Sequence, residues 1–484
     1  MPEPTAAPSW SERLRAVQPS PRLHLLLGLG LPMAALIVNL WKFSPFTIDD
    51  AYISFRYSRN LADGLGLVYN AGERIEGYTN FLWTLLLGLG AMIGLEPVTL
   101  AKVLGGASSC GALYFTYKLA ARLQPLGLAP CVATWLLATS PLCAGYGVFG
   151  LETSFFTMLV VAGATLVYRE ADGDPKAIPW SGLVFAAAGL TRPEAPLFLG
   201  LVMLTLGRRF FARQNLLRGA LFVAPIAAHL LWRHAYYGEW LPATLYAKTG
   251  DLQRQLRGGR AYMRGYLEFL GPIAVMAAPG LVVGLARRSR EALACALISA
   301  LFAAYIILVG GDWMPHHRFV APIEPFFFAL IGLGVRRLAE LRRPLVLAVL
   351  AALAVAFALQ RTERLNQAHA RFVVQEHRAP AGQDRDRRHR PRWLQDQLPP
   401  PRHPRPRRPG DLQAPRRLHP EARRALPRPD LRRDARVHRD HRQRRLRPAG
   451  DGRVADDHGG PALRPELRDR PPDPPRRRQL VHLR

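Results

Sequence analysis

The sequence predicts an all-α membrane protein that crosses the bilayer many times, and three observations support this fold class. The 484 residues are 49% hydrophobic, and long apolar runs recur over most of the chain. Several runs reach or approach the ~20 apolar residues that a helix needs to cross a bilayer. Arginine clusters in the short loops between runs, as in the cytoplasmic loops of membrane proteins. A water-soluble domain does not bury so many helices that are apolar on all sides.

About ten or eleven spans are predicted, and the first is Leu23–Trp41. Basic residues precede this run and no small-residue cleavage site follows it, so we expect a cytoplasmic segment 1–22 and an uncleaved anchor. Phe81–Leu95 is short and could be re-entrant or interfacial instead of a full crossing. The other candidate runs are Thr99–Tyr117, Leu128–Val148, Ser154–Tyr168, Trp180–Leu190 with Ala195–Leu206, Leu217–Trp232, Phe269–Leu285, Leu293–Val309, Phe319–Val335 and Leu345–Leu359.

The distribution of arginine predicts the orientation of the spans. Three loops carry clusters of arginine and are predicted to be cytoplasmic. The loops 42–80, 236–266 and 310–318 then lie on the opposite, extracytoplasmic side, where aromatic, histidine and acidic residues gather. The cytoplasmic clusters are Arg208, Arg209, Arg213 and Arg218, then Arg287, Arg288 and Arg290, then Arg336, Arg337, Arg342 and Arg343.

The last part of the chain differs sharply in composition from the rest. Residues 375–484 contain 31 Arg, no Lys, 15 acidic residues and 19 of the 42 prolines, so this segment holds +16 of the net charge of +29. We predict that it is disordered. We interpret its narrow alphabet as GC-rich codons read out of frame after a frameshift, with a selected basic tail as the alternative. On this interpretation the basic charge does not indicate a nucleic-acid partner.

The predicted organisation therefore has four parts. A cytoplasmic N-terminal segment covers residues 1–22, and a transmembrane domain covers residues 23–360 and includes the first extracytoplasmic loop, 42–80. A linker, 361–374, leads to the Arg/Pro-rich tail, 375–484. Function is expected in the second part, because charged residues near membrane-spanning segments are costly unless they serve a role.

Two adjacent acidic residues, Asp49 and Asp50, follow the first span closely. Neighbouring carboxylates repel each other, so keeping both ionised requires a metal, a basic partner or a shared proton. One interpretation is a general base or a metal-binding carboxylate at the bilayer surface. The other is simple capping of the helix that follows, which favours acidic residues at this place. Arg56, within two helical turns, could pair with them or hold a phosphate.

Further polar residues occur on the same predicted side. An acidic residue, Glu152, precedes a span, and Arg192 and Glu194 flank a proline inside apolar sequence, either for function or as an internal structural pair. His316 and His317 are adjacent and point in different directions, so they are a poor metal pair unless Asp312 contributes. The sequence leaves open whether a divalent cation is bound, and it predicts no other cofactor. The candidate substrate-binding residues are Arg56, Glu152, Arg192, Glu194, Tyr246, Lys248, Asp312, His316, His317 and Arg318.

This distribution of charges fits a lipid-linked phosphosugar as substrate. Such a molecule has its phosphate at the membrane surface, its sugar in water and its tail in the bilayer. Its enzyme needs cations to neutralise the leaving phosphate and a carboxylate to accept the proton of the attacking hydroxyl. A transporter or flippase of lipid-linked sugars is the alternative, and it predicts internal repeats and charges near the bilayer midplane. No repeat is visible, and the charges gather toward one side.

Five segments resemble a known family, the bacterial GT-C-type integral membrane glycosyltransferases related to the mycobacterial terminal β-(1→2)-arabinofuranosyltransferase. The resemblance covers about Trp41–Leu359, and its segments in order are DDAYISFRYSRNLADGLGLVYNAGERIEGYTNFLW, GLET, LTRPE, YYGEWLPATLYAK and GGDWMPHHRFVAPIEP.

The resemblance implies a GT-C-like bundle and an inverting sugar transfer on the extracytoplasmic face of the cell membrane. It implies a polyprenyl-phosphate-linked sugar as donor and a cell-envelope glycan or glycolipid as acceptor. By analogy Asp49 or Asp50 is the catalytic base. We infer that Arg192, Lys248 and Arg318 bind phosphate, and that Glu152, Glu194 and Asp312 form polar walls of the site. The tail departs from the family, whose members continue into a folded extracytoplasmic domain.

Overall fold

The computed structural model describes residues 20–242, 252–312 and 314–340, and within these ranges every regular element is a helix. Short 3₁₀ segments connect some of the helices. The helices are α1 Pro21–Phe43, α2 Ala51–Ala62, α3 Phe81–Met92, α4 Pro97–Leu123, α5 Leu128–Ala138, α6 Pro141–Val148, α7 Thr153–Ala171, α8 Ser181–Thr191, α9 Ala195–Leu204, α10 Arg213–Tyr237, α11 Leu252–Leu270, α12 Ala277–Ala286, α13 Arg290–Val309 and α14 Glu324–Glu340.

The all-α, multi-pass membrane fold predicted from the sequence is confirmed. Six helical stretches of the described residues are long and apolar enough to cross a membrane, and a seventh is counted if the bent pair of α5 and α6 forms one span. The stretches are Pro21–Phe43, Pro97–Leu123, Arg213–Tyr237, Leu252–Ala286, Arg290–Val309 and His316–Arg337. This number is lower than the ten or eleven predicted spans, because some apolar runs form shorter or broken helices and one run, Leu345–Leu359, lies outside the described residues.

Three of those runs show why the numbers differ. The run Phe81–Leu95 forms the short helix α3, as its length suggested. The run from 180 to 206 breaks at Arg192 into two helices of 11 and 10 residues, α8 and α9. The predicted span Leu345–Leu359, the linker 361–374 and the tail 375–484 lie outside the described residues, as do the first 19 residues of the N-terminal segment.

Helix α7 runs through the centre of the bundle between two groups of charged residues. Its 19 residues measure about 28 Å, close to the ~30 Å hydrocarbon thickness of a bilayer. Near its C-terminal end, Asp172 forms ion pairs with Arg122 and Arg290, and Arg209 donates to the carbonyl of Ala171. Two of the predicted cytoplasmic arginine clusters therefore share this end. Some of the candidate site residues gather at the other end, around the N-terminus of α7: Asp49, Asp50, Glu152, Arg192, Glu194, Asp312 and Arg318.

Close packing of small residues holds the central helices together. Helix α14 packs along α5 and α12, and α4 packs along α7. Where α14 meets α5, Gly332 faces the backbone of Ala129, and a Cβ atom at position 332 would lie 2.5 Å from the carbonyl oxygen of Ala129. Apolar burial contributes little to helix association inside a lipid bilayer, so such close backbone approach stabilises the bundle through van der Waals contact.

We expect Gly332→Ala to lower the stability of the bundle, because the backbone of α5 cannot move away as a flexible side chain can. The apparent melting temperature of the purified protein in detergent, followed by intrinsic fluorescence, measures this effect. Gly200→Ala is the matched control, since a Cβ atom at position 200 in α9 meets nothing within 4 Å. Alanine favours helix by about 1 kcal/mol over glycine, so the control should be neutral or slightly stabilising. Equal melting temperatures for both variants would contradict the packing argument.

Candidate active site

Four chain segments that are distant in sequence meet at one end of the bundle. They are the turn before α2, the start of α7, the break between α8 and α9, and the segment between α13 and α14. We call their charged residues the acidic–arginine cluster, since ion pairs or close charges connect them. Its members are Asp49, Asp50, Glu152, Arg192, Glu194, Asp312 and Arg318.

A buried arginine between two carboxylates forms the most closely bonded part of this cluster. Arg192 Nη1 donates to Glu152 Oε1 at 2.9 Å, while its Nε and Nη2 donate to the two carboxylate oxygens of Glu194 at 3.3 and 3.0 Å. Asn80 Nδ2 also donates to Glu152, at 3.0 Å. All three charged side chains are largely excluded from solvent. The internal Arg192–Glu194 pair considered as an alternative from the sequence is therefore present, and it extends to Glu152.

The chain reaches this geometry because Pro193 separates two helices. Proline disfavours the helical conformation of the residue before it, and Arg192 is accordingly extended, with φ −150° and ψ 140°. Helix α8 ends at Thr191, and Glu194 occupies the N-cap position of α9. Arg192 thus lies at the C-terminal end of one helix dipole and Glu194 at the N-terminal end of the next, where both charges are favourable.

The second arginine of the cluster, Arg318, is held more loosely. Its Nε lies 3.4 Å from Asp312 Oδ2, and its Nη1 lies 3.9 Å from Asp50 Oδ2. Both distances exceed the 2.7–2.9 Å typical of a charge-assisted hydrogen bond. The guanidinium groups of Arg318 and Arg192 lie 5.8 and 5.4 Å from the centre of the Phe319 ring. Phe319 therefore packs against both arginines and fixes their separation.

The two adjacent aspartates have different environments. Asp49 is exposed, and its Oδ1 accepts a hydrogen bond from the backbone N–H of Asp50 at 2.8 Å. Asp50 occupies the N-cap position of α2, yet its side chain makes no capping hydrogen bond. Burial raises the pKa of Asp50, and the carboxylates of Glu152, Asp49 and Asp312 raise it further, while Arg318 opposes them. Asp50 thus has the environment of a carboxylate that holds a proton more readily than usual.

The other predicted site residues have separate surroundings. Arg56 donates to the carbonyl oxygen of Tyr69 at 2.7 Å and to Asn70, which ties it to its own loop. His316 and His317 both have left-handed backbone, with φ of 63° and 59°, and the His317 ring packs near Tyr262. The predicted residues Tyr246 and Lys248 lie outside the described residues. In the described part of the chain, no group of three or more His, Cys, Asp or Glu side chains could hold a metal ion.

The structure also reveals polar groups that were not predicted from the sequence. Glu324 is fully buried at the start of α14 and accepts hydrogen bonds from Ser140 Oγ at 2.6 Å and Tyr266 Oη at 3.1 Å. An acidic residue inside the apolar run Phe319–Val335 was the signal that could have identified it. Asn80, which binds Glu152, carried no comparable signal.

A second buried ion pair attaches the first loop to α10. Glu76 Oε2 lies 2.8 Å from Arg233 Nε, and Glu76 is only 4% exposed. Burial raises the pKa of Glu76 to about 7, and it outweighs the attraction of Arg233, which lowers the pKa. Tyr237 Oη donates to the carbonyl oxygen of Leu67 at 2.7 Å, so α10 holds the loop at two points.

We expect the stability contributed by Glu76 to fall as the pH rises. Its pKa in the folded protein exceeds the value of about 4.3 for an unfolded chain, so the folded state binds more protons between these two pH values. The Glu76 contribution is therefore complete below about pH 4 and declines until the pH exceeds about 7. Apparent melting temperatures of the wild type and Glu76→Gln between pH 5 and pH 8 measure it. The melting temperature of the wild type should fall more steeply with rising pH than that of Glu76→Gln. Parallel curves for the two proteins would contradict the raised pKa of Glu76.

Removing the buried arginine should destabilise the whole end of the bundle. Arg192→Met leaves Glu152 and Glu194 buried without a positive partner, and breaking a buried pair in this way costs about 3–5 kcal/mol. Arg192→Lys keeps the charge but cannot bond both carboxylates through one planar group, so its loss should be smaller. Melting temperatures measured by thermal unfolding in detergent should fall in the order wild type, Arg192→Lys, Arg192→Met. Arg208→Met, at an exposed arginine, is the control, and an equal loss there would refute the role of Arg192.

Two curated proteins are similar in sequence to this chain. The chain is 32% identical over 367 residues to the terminal β-(1→2)-arabinofuranosyltransferase of Corynebacterium glutamicum, covering 63% of this chain and 50% of the relative. It is 29% identical over 337 residues to the enzyme of the same name from Mycobacterium tuberculosis, covering 59% and 52%. The chain thus spans about half the length of the curated relatives it matches. No protein-family profile matches it.

Solved structures with a similar arrangement share little sequence identity with the chain. The crystal structure of ArnT from Cupriavidus metallidurans bound to undecaprenyl phosphate is 15% identical, with a TM-score of 0.49 over 65% of this chain and 60% of that one. The archaeal oligosaccharyltransferase AglB from Archaeoglobus fulgidus is 12% identical, with a TM-score of 0.44 over 73% and 56%. The resemblance to terminal β-(1→2)-arabinofuranosyltransferases expected from the five segments is confirmed by the two curated relatives, at about 30% identity.

Proposed function

We propose that this chain is the membrane-embedded part of a glycosyltransferase that moves a pentosyl or hexosyl group from a polyprenyl-phosphate donor to a cell-envelope glycan or glycolipid. The observation that carries the proposal is the acidic–arginine cluster at one end of a multi-pass bundle, where Asp50 lies 3.9 Å from Arg318. Similarity to enzymes named arabinofuranosyltransferases supports a sugar transfer, and among sugars it favours arabinofuranose.

Asp50 is the proposed general base. A base must accept the proton of the acceptor hydroxyl as that oxygen attacks, so it needs a pKa above that of an ordinary carboxylate and access to substrate. The pKa of Asp50 is raised by burial, and its side chain remains 37% exposed. Asp49 bonds to the N–H group of Asp50 instead, which suits a role in fixing the turn.

Arg318 is the proposed partner of the donor phosphate. Arg192 donates three hydrogen bonds to Glu152 and Glu194, so little of its guanidinium group remains for a substrate. Arg318 has long contacts to Asp312 and Asp50, and its Nη1 lies 2.9 Å from the sulfur of Met314, which is a weak acceptor, so a phosphate can replace these contacts at lower cost. In this proposal Arg192 is a positioning residue that fixes the N-terminus of α7 and, through Phe319, the segment that carries Arg318.

The proposed reaction is a single displacement that inverts the anomeric carbon. The acceptor hydroxyl oxygen forms a bond to the anomeric carbon while its proton passes to the carboxylate of Asp50. The bond between the anomeric carbon and the phosphate oxygen breaks, and the polyprenyl phosphate departs with the electron pair. Arg318 stabilises the negative charge that develops on this phosphate. The step requires only side chains of the cluster, and a divalent cation is not assigned a role.

The site is proposed to face the extracytoplasmic side of the plasma or inner membrane. Two arginine clusters predicted to be cytoplasmic lie at the opposite end of α7 from the acidic–arginine cluster. The positive-inside tendency of short loops favours that orientation. The charges also lie at helix ends and not in the middle of spans, which supports a transferase over a transporter.

We expect Asp50→Asn to reduce sugar transfer by about 10²–10⁴-fold, because the amide cannot accept the proton. Asp49→Asn should keep most of the activity and serves as the matched control at the adjacent position. The measurement is the transfer of radiolabel from a polyprenyl-phosphate sugar to a glycan acceptor by purified protein. Polyprenyl-phosphate arabinofuranose is the first donor to test.

Three outcomes separate the parts of this proposal. Full activity of Asp50→Asn would rule out this residue as the base. Lost activity of both variants with normal melting temperatures would show that the two carboxylates act together. Unchanged wild-type transfer in the presence of a chelator would show that no exchangeable divalent cation is needed.

A further inference from the structure

Helix α11 carries a stripe of exposed arginines that the proposed reaction does not use. Arg254, Arg257, Arg260 and Arg264 are all exposed, and they fall within about 120° of one another around the helix axis at 100° per residue. Within α11 as the structure describes it, the only acidic residue is Glu268, which pairs with Arg264 at 3.3 Å. We call this stripe the arginine face. It spans about 15 Å along the helix.

The opposite face of α11 rests on the segment that forms the site. Gly259 approaches the backbone of Ile307 near the end of α13, and Tyr262 packs against Gly311. Tyr262 Oη accepts a hydrogen bond from the backbone N–H of Phe319 at 3.1 Å, next to Arg318. Because these contacts use the face opposite the arginines, the arginine face points away from the acidic–arginine cluster.

The length of the helical stretch determines where the arginine face lies relative to the bilayer. Leu252–Ala286 contains 35 residues, or about 52 Å of helix, whereas the hydrocarbon core is only ~30 Å thick. About 15 residues must therefore lie outside the core. Residues 269–286 contain no charged side chain, whereas 252–268 contain all four arginines. The excess is therefore most of α11, which lies beyond the core on the side of the lipid headgroups.

The positive charge of α11 needs an explanation. The segment lies at the end of the bundle opposite the arginine-rich turns that are predicted to be cytoplasmic. Arginine in a non-cytoplasmic loop works against the usual orientation rule. An amphipathic helix with a basic polar face at the membrane surface binds anionic headgroups, and each basic residue adds to the attraction. One donor phosphate could engage only part of a stripe about 15 Å long, and it would lie on the wrong side of the helix for Arg318.

We propose that the arginine face of α11 binds the phosphate groups of anionic bilayer phospholipids. These contacts hold α11 at the membrane surface and so press its opposite face onto the segment that carries Asp312 and Arg318. The inference depends on the geometry of α11 alone and stands whether or not the proposed sugar transfer is correct.

The test compares lipid binding by the purified full-length chain and two triple variants. Native mass spectrometry measures adducts of phosphatidylglycerol and of phosphatidylcholine in detergent. Neutralising Arg254, Arg257 and Arg260 to Gln should weaken phosphatidylglycerol binding by roughly tenfold or more and leave phosphatidylcholine unchanged. Replacing the same three residues by Lys keeps the charge and should keep the preference. Arg264 is left intact because it pairs with Glu268.

Binding of a polyprenyl phosphate to the same variants separates the two possible sources of phosphate. Unchanged polyprenyl-phosphate binding in the Gln variant supports a bilayer-lipid site, whereas an equal loss would assign the face to the donor and overturn the proposal. Equal phosphatidylglycerol binding by the wild type and the Gln variant would also overturn it. Circular dichroism and gel filtration show whether the Gln variant is folded, and the Lys variant supplies the comparison if it is not.

Discussion

The buried contact of Arg192 with Glu152 and Glu194 is the constraint on which the rest of the site depends. It joins the N-terminus of α7, the central helix, to the break between α8 and α9. Because charges in this environment are costly without partners, all three must remain together. Asn80 extends the constraint to the first loop, and Phe319 extends it to the segment after α13. Directly or through one neighbour, Arg192 thereby connects the start of α7, the break between α8 and α9, the first loop and the segment after α13.

Much of the fold could be predicted from hydropathy and charge, because a membrane forces helices to be apolar and long. The broken helices could be predicted less well. Pro193 is visible in the sequence, yet nothing there says that Arg192 would be extended and bonded to Glu152, 40 residues earlier. Hydrophobic periodicity predicts that a segment is helical, but it does not predict which helix ends lie next to each other in the fold. Helices long and apolar enough to cross a membrane are therefore fewer, in the described residues, than the apolar runs of the sequence.

The same limit explains what could be predicted of the site. Asp50, Glu152, Arg192, Glu194, Asp312 and Arg318 were identified from unusual charges near apolar runs, and the structure brings them together. Adjacent Asp49 and Asp50 could not be distinguished, since their difference arises from burial and from one hydrogen bond. Glu76 and its partner Arg233 looked like ordinary loop and helix charges. Their 2.8 Å contact depends on tertiary structure alone.

The balance of charge in the cluster connects its architecture to the proposed chemistry. Asp50, Glu152, Glu194 and Asp312 face only two arginines, so with all groups ionised the six residues carry a net charge of −2. Arg192 bonds closely to both Glu152 and Glu194, so this group keeps a net charge of −1, and Asp50 and Asp312 around Arg318 keep the other −1. Of the two aspartates around Arg318, Asp50 has the longer contact, at 3.9 Å compared with 3.4 Å for Asp312. Burial is the main cause of the raised pKa of Asp50, the carboxylates of Glu152, Asp49 and Asp312 raise it further, and Arg318 is the arginine that opposes them.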